Sequence, residues 1–239
     1  MFTNRQDAGQ QLSRLLRDLL EKDSTFTPES TVVVGLPRGG VPVAAEIAIE
    51  LRCSIDVLVS KKIRAPDNPE LAIGAVSSSG VVVLDARIPQ LFGNSELYLK
   101  AQHDQKELLI CQTRQQEMSL VERSGMQSRP TWQGKLVIIV DDGIATGMTT
   151  LAALRTVKQH ACARVWLATP VIPYDTYLKL KQECDYLLAL SIPHDFSAVG
   201  CFYNDFHQVE DTEVLAALRY CSVATSRAAG SSKQFFSLW

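Results

Sequence analysis

Short apolar runs alternate with longer amphipathic stretches along most of the chain. Parallel strands that are covered on both faces read as continuous Val, Ile and Leu, so the runs predict buried strands. They lie at residues 31–35, 55–60, 71–76, 81–84, 136–140, 163–168 and 186–190. Apolar residues at helical spacing predict helices at residues 5–22, 41–51, 94–123, 151–157, 174–182 and 212–220. This alternation predicts an α/β fold, with a parallel twisted sheet flanked by helices.

The length of 239 residues suits one domain, which we assign to residues 1–221 with a core at about 28–190. Residues 191–211 are predicted to be irregular, and residues 222–239 to form a loose tail. The first helix has an apolar stripe and a charged face, and we interpret it as a lid or edge helix without a chemical role.

Composition limits the classes of function. Hydrophobic residues make up 46% of the chain and its net charge is −2, which argues against disorder and against a basic nucleic-acid surface. The six cysteines are scattered and form no C-x-x-C pair, so neither a zinc site nor a disulfide framework is indicated. The N-terminus lacks a signal-peptide pattern, and no apolar run approaches the roughly 20 residues of a membrane span. We therefore expect a soluble, cytoplasmic protein with no nucleic-acid or membrane partner.

Polar loops follow four of the predicted strands. They are the Arg38-Gly39-Gly40 turn, the basic segment 61–69, the Asp141-Asp142 loop and residues 169–173. Because ligands of parallel sheets bind beyond the carboxyl ends of the strands, we expect these loops to share one edge. The two prolines in segment 61–69 predict an exposed loop there.

The loop after residue 140 has the composition of a phosphate site. Residues 143–149 can present backbone N–H groups, two threonine hydroxyls and a helix N-terminus to an anion. Asp141 and Asp142 would repel a phosphate but can accept hydrogen bonds from vicinal hydroxyls, so a sugar phosphate suits both halves. Arg38 and the basic segment would then neutralise a second anion, such as a diphosphate. A plain turn at Arg38, or a metal site at the two acids, remains an alternative at this point.

The stretch Val137–Thr150 resembles the 5-phosphoribosyl 1-diphosphate (PRPP) signature of type I phosphoribosyltransferases: an apolar strand, two acids, a short variable pair and Thr-Gly-x-Thr. Residues 35–44, 68–76 and 196–206 resemble one branch of that family, whose members are described as predicted phosphoribosyltransferases. The resemblance covers roughly residues 5–220. It implies the type I fold, with a flexible loop or β-hairpin and a small variable hood built from the N-terminal helix, residues 191–211 or both.

The resemblance also implies a role for each matching residue. Asp141 and Asp142 would hold the ribose hydroxyls. Gly143 would also contact PRPP, and the 5-phosphate would be bound by Ala145, Thr146, Gly147, Met148 and Thr149. The diphosphate would meet a loop of Arg38, Gly39 and Gly40 and a closing segment of Lys61, Lys62 and Arg64. The hood over the base would include Val171, Phe196 and Tyr203. Within this set the catalytic residues would be Asp141, Asp142, Arg38, Lys62 and Arg64.

The implied reaction is displacement of pyrophosphate by a nitrogen nucleophile, most simply a nucleobase. Mg²⁺ would be held by PRPP oxygens without dedicated protein ligands, Asp141 and Asp142 being the carboxylates that could reach it. A homodimer is usual in this family. Many purine-salvage members carry an aspartate where this chain has Ala145, so the acceptor is open. A non-catalytic PRPP-binding regulator and a PRPP hydrolase are the alternatives.

Overall fold

The computed structural model describes residues 1–22, 25–65, 68–85, 96–126 and 128–233. Its strands are β1 (Thr31–Gly35), β2 (Ser54–Val57), β3 (Ser60–Ala65), β4 (Asn68–Ser77), β5 (Val82–Leu84), β6 (Leu136–Val140), β7 (Arg164–Val171) and β8 (Tyr186–Ser191). Its helices are α1 (Arg5–Lys22), α2 (Gly40–Leu51), α3 (Glu96–Ser124), α4 (Met148–Lys158), α5 (Tyr174–Lys181) and α6 (Asp211–Lys233). Short 3₁₀ turns lie at Pro28–Ser30 and Val199–Phe202.

A five-stranded parallel sheet of order β2-β1-β6-β7-β8 forms the centre of the fold. All five residues of β1 and all five of β6 are buried, which explains their unbroken apolar composition. β1 and β6 are neighbours, with Gly35 opposite Val140. The turn after β1 and the loop after β6 therefore begin side by side at one edge of the sheet.

Helices cover both faces of this sheet, as the strand–helix alternation predicted. Side chains from α1, α2 and α6 pack with Val33, Ile138 and Trp166 on one face. Side chains from α4 and α5 pack with Val34, Ile139 and Leu167 on the other. Alternate positions along each strand thus contribute to two separate core layers, one on each face of the sheet.

Strands β3, β4 and β5 form a separate antiparallel sheet. The prediction of two strands around the turn at 77–80 is confirmed, but the prediction of an exposed loop over 61–69 is wrong. Residues 61–65 lie in β3, where Ile63 and Ala65 are buried while Lys62 and Arg64 are exposed. This alternation is the strand period, which the prolines that follow had obscured. Residues 66 and 67 lie outside the described part of the chain.

Other boundaries also differ from the prediction, and two of them are in β7 and the last helix. β7 continues to Val171, because Thr169 and Val171 pair with Ala189 and Ser191 of β8. The last helix, predicted to stop at residue 220, continues to Lys233. The tail predicted from residue 222 is therefore helical up to that point, since its alanines favour continued helix over a break at Gly230. Residues 234–239 lie outside the described residues.

Candidate active site

The turn after β1 is pressed against the acidic end of β6. Leu36 N donates to Val140 O over 2.9 Å. A Cβ on Gly39 would lie 1.9 Å from Asp142 Oδ2, and one on Gly40 would lie 2.6 Å from Val140 O. Only glycine allows this approach of backbone to carboxylate. The Arg-Gly-Gly turn and the paired acids predicted from the sequence are thus brought into direct contact.

The two acids have different surroundings. Burial raises the pKa of Asp141 well above its usual value, the neighbouring Asp142 carboxylate adds to this, and the charge of Lys62 opposes it. Burial also raises the pKa of Asp142, but there the hydrogen bond and the charge of Arg5 act in the opposite direction. Arg5 Nε donates to Asp142 Oδ2 over 2.7 Å. The Asp142 backbone N–H donates to Asp141 Oδ1 over 3.0 Å.

The loop that follows the acids is hydrogen-bonded to neighbouring elements. Ile144 is buried and its N–H donates to Val171 O over 2.9 Å. Thr176 Oγ1, at the start of α5, donates to Ala145 O over 2.8 Å. Gly147 has φ of +75°, a left-handed conformation that favours glycine, and the chain then enters α4. The loop therefore ends on a helix N-terminus with backbone N–H groups available to an anion.

The α4 helix begins at Met148, three residues before the predicted start at residue 151. Met148 and Thr149 consequently lie in its first turn, where N–H groups have no helical partner. Thr149 is half-buried and Thr146 is exposed, so both hydroxyls lie near the surface. Thr150 Oγ1 is buried and, among the described residues, has no hydrogen-bond partner.

The basic residues reach the same edge from two directions. Ser60 Oγ donates to Thr149 O over 3.1 Å, which joins β3 to the start of α4. Lys62 is exposed on β3, yet close enough for its charge to act on Asp141. Arg38 is half-buried, and its Nη1 lies 3.5 Å from Glu210 Oε2. Lys62, whose charge acts on Asp141, and Arg38, the neighbour of Gly39, are thus candidate cations beside the acids.

The residues assigned to the hood have unequal positions. Val171 is fully buried, and its Cγ1 would lie 3.1 Å from a Cβ on Gly143. Tyr203 is buried, and its hydroxyl donates to Asp142 O over 2.6 Å. Phe196 stacks on Phe202 with ring centroids 5.8 Å apart. Tyr203 therefore has a packing and hydrogen-bonding role beside the acids, while base stacking by it or by Phe196 stays a prediction.

Sequence reasoning missed two contributors to this site. Arg5 opens α1, the helix interpreted as chemically silent, and it contacts the acidic motif across 137 positions of sequence. Val199 touches the loop from the irregular segment, since a Cβ on Gly143 would lie 2.2 Å from its Cγ1. No local pattern marks either residue. Arg5 in particular reads as one more polar position at the start of an amphipathic helix.

A family model described as a phosphoribosyl transferase domain matches residues 1–207. The chain belongs to the phosphoribosyl transferase family. Two proteins of Mycobacterium tuberculosis, from strains CDC 1551 and H37Rv, are each 38% identical over 218 residues, and their names provisionally call them phosphoribosyl transferases. The match covers 91% of this chain but 46% of each relative, so the chain spans about half their length.

Two solved structures have a fold similar to that of this chain. The crystal structure of TT1426 from Thermus thermophilus has a TM-score of 0.72 at 36% identity, over 92% of this chain and 98% of that one. The AQ2163 protein from Aquifex aeolicus has a TM-score of 0.50 at 13% identity, over 82% and 78% of the two chains, and shows the fold alone. The type I phosphoribosyltransferase fold expected from the motif is confirmed. Among the described residues, no helix is both long and apolar enough to cross a bilayer.

Proposed function

We propose that this member of the phosphoribosyl transferase family binds PRPP and transfers its ribose 5-phosphate to a nitrogen nucleophile, releasing pyrophosphate. The observation that carries the proposal is the meeting of three groups at one sheet edge. The Gly39 backbone packs against Asp142, and the charge of Lys62 lowers the pKa of Asp141 against the effect of burial. The loop beyond the acids leads into the N-terminus of α4. A ligand that carries vicinal hydroxyls between two phosphate groups matches this order of acids, helix terminus and cations.

Each part of the site would contribute by orientation and charge. The N–H groups of residues 145–149 would bind the 5-phosphate, and the two carboxylates would accept hydrogen bonds from the ribose hydroxyls. Arg38, Lys61, Lys62 and Arg64 would balance the charge of the departing diphosphate. The bond between the anomeric carbon and the diphosphate oxygen breaks, and its electron pair leaves with the diphosphate. The nitrogen of the acceptor forms the new bond to the anomeric carbon with its own electron pair. Such positioning and charge stabilisation supply most of the catalysis in comparable transfers.

The donor set at the strand end fits Mg²⁺. Asp141 and Asp142 are adjacent, partly exposed carboxylates, and Mg²⁺ commonly binds one or two carboxylates together with phosphate oxygens. These two residues would hold the ion jointly with the ligand, and the ion would supply charge neutralisation at the diphosphate. Magnesium dependence, a homodimeric state and a cytoplasmic location remain parts of this proposal.

Only residue 145 bears on the identity of the substrate that accepts the ribose phosphate. Ala145 offers no acid or base, and its carbonyl is taken by Thr176. Proton handling at the acceptor would therefore depend on another group or on the acceptor itself. A nucleobase is the simplest nitrogen nucleophile for this site. A PRPP hydrolase would release pyrophosphate or phosphate without a base, and a regulator would bind PRPP without forming a product.

The test is to incubate the protein with PRPP, Mg²⁺ and a panel of nucleobases while pyrophosphate release and PRPP binding are both measured. Release that requires one base supports transfer. Release without any base would instead indicate hydrolysis, and tight binding without turnover would indicate a regulator.

A double variant, Asp141→Asn with Asp142→Asn, tests the ribose assignment, and Asp18→Asn on the exposed face of α1 is the matched control. The double variant should lose most PRPP affinity because neutral amides accept hydroxyl hydrogen bonds less strongly than carboxylates. Unchanged affinity would refute the role of the two acids.

A further inference from the structure

A buried arginine in α1 ends on the acidic motif. The Arg5 side chain is only 9% exposed, and arginine is rarely buried unless it is paired. Its Nε donates to Asp142 Oδ2 over 2.7 Å, and its Nη1 donates to His207 O over 2.8 Å. The guanidinium carbon lies 4.0 Å from the centroid of the Phe206 ring. The planar guanidinium group therefore makes two hydrogen bonds and one contact with an aromatic ring, and these three contacts define its position.

The segment that holds Arg5 also holds other parts of the site. We call residues 203–210 the strap. Tyr203 donates its hydroxyl to Asp142 O over 2.6 Å at one end, and Glu210 lies 3.5 Å from Arg38 at the other. His207, between them, is bonded through its ring to Asp205 at 3.0 Å and Glu213 at 2.9 Å. The strap thus connects Arg5 with both Asp142 and the Arg38-Gly39-Gly40 turn.

These contacts fix Asp142 while leaving one of its oxygens available. Oδ2 is taken by Arg5 and faces Gly39, and the backbone N–H and C=O are bonded to Asp141 and Tyr203. Arg5 bonds Oδ2 and Tyr203 bonds the backbone carbonyl, so neither of these two supports occupies Oδ1 of Asp142. A carboxylate held in this way presents its Oδ1 in one orientation.

We propose that Arg5 is a positioning residue, which orients Asp142 so that its Oδ1 accepts one of the two vicinal ribose hydroxyls. The inference rests on the proposed function, because it requires a ribose phosphate at the acids. A fork that bonds both the carboxylate and the strap carbonyl fixes the direction of the carboxylate as well as its charge. A purely structural ion pair would stabilise the fold without affecting the recognition of individual hydroxyls.

The test measures hydroxyl recognition by titration calorimetry, with ribose 5-phosphate, its 2-deoxy and 3-deoxy analogues and inorganic phosphate as probes. The wild-type protein should bind each deoxy analogue about tenfold more weakly than ribose 5-phosphate, because each analogue leaves one carboxylate without its hydrogen bond. Arg5→Met should reduce one of these two ratios to near unity while the affinity for inorganic phosphate changes less than about twofold. Arg17→Met, an exposed arginine of the same helix that pairs with Glu50, is the matched control and should leave every ratio unchanged.

Arg5→Lys keeps a cation but cannot bond Asp142 and the strap together, so the affected ratio should be intermediate. If Arg5→Met does not fold, the lysine variant decides. Wild-type ratios in the folded Arg5 variants would overturn the inference while leaving the proposed function intact. A wild-type protein that bound neither ribose 5-phosphate nor PRPP would overturn the proposed function and, with it, this inference.

Discussion

Replacing Gly39 by alanine sets local conformation against tertiary contact. Gly39 has φ of −63° and ψ of −32°, which are ordinary right-handed helical values. Considered locally, alanine at such a position should stabilise the protein by about 0.4–1 kcal/mol, because it reduces the freedom of the unfolded chain. A purely local account of this turn therefore predicts a slightly more stable variant.

The tertiary contact predicts the opposite sign. The new Cβ would lie 1.9 Å from Asp142 Oδ2, 2.5 Å from its Cγ and 3.0 Å from its Oδ1. A carboxylate on a free side chain could rotate away, but Oδ2 of this one is bonded to buried Arg5. Displacing it should cost about 1.5–3 kcal/mol, the usual worth of a hydrogen bond between charged groups. After the local gain, the variant should be about 0.5–2.6 kcal/mol less stable, which lowers the unfolding midpoint by roughly 1–10 °C for a chain of this size.

Thermal and urea unfolding of Gly39→Ala, alone and combined with Asp142→Ala, provide the assay. The three atoms nearest to the new methyl group all belong to the Asp142 carboxylate, and the farthest of them lies at 3.0 Å. In the Asp142→Ala background the Gly39→Ala substitution should therefore be neutral or stabilising. Gly80→Ala controls for backbone strain, because Gly80 has φ of +88° and open space around it. Gly39→Ala as stable as the wild type, or equally destabilising in both backgrounds, would refute the reasoning.

Two other predictions concern the supports of the site. Arg129→Met should destabilise the fold by about 3–5 kcal/mol near pH 7, because it leaves buried Asp56 and Glu117 without their cation. Burial already raises the pKa of Asp56, and losing Arg129 raises it further, so unfolding curves should show a smaller penalty at pH 5 and a larger one as the pH rises through that pKa. Thr176→Val removes the 2.8 Å hydrogen bond to Ala145 O and should weaken inorganic phosphate binding about fivefold by calorimetry, with the fold intact. Equal Arg129→Met penalties at both pH values, or unchanged phosphate affinity, would contradict these two expectations respectively.

Local composition was sufficient for most of the fold. The buried runs at β1 and β6 and the periodic stretches at α1 and α2 lie within a residue or two of their predicted bounds. Apart from the last helix, whose own alanines carry it to Lys233, the main errors fall where a pattern depends on a distant partner. β7 extends to Val171 because β8 lies beside it, and residues 61–65 are a strand because β4 pairs with them. Pairing of this kind leaves only a weak trace in the sequence of one strand.

The sequence by itself was enough to predict a sugar-phosphate site. Two adjacent acids end an apolar run, and Thr-Gly-x-Thr follows them. This order indicates a sugar phosphate, because carboxylates that can accept hydrogen bonds from hydroxyls are followed directly by a helix N-terminus that can bind a phosphate. Such chemistry is local, so it can be read along the chain.

Only the tertiary structure decided how that site is held. Arg5 reaches Asp142 from 137 positions away, Tyr203 from 61, and the Gly39 backbone fits against the same carboxylate. These contacts depend on packing between elements that are remote in sequence, and an arginine at the start of a helix looks the same whether it is solvated or buried. The orientation of Asp142 is therefore a property of the assembled fold, while its presence is a property of the sequence.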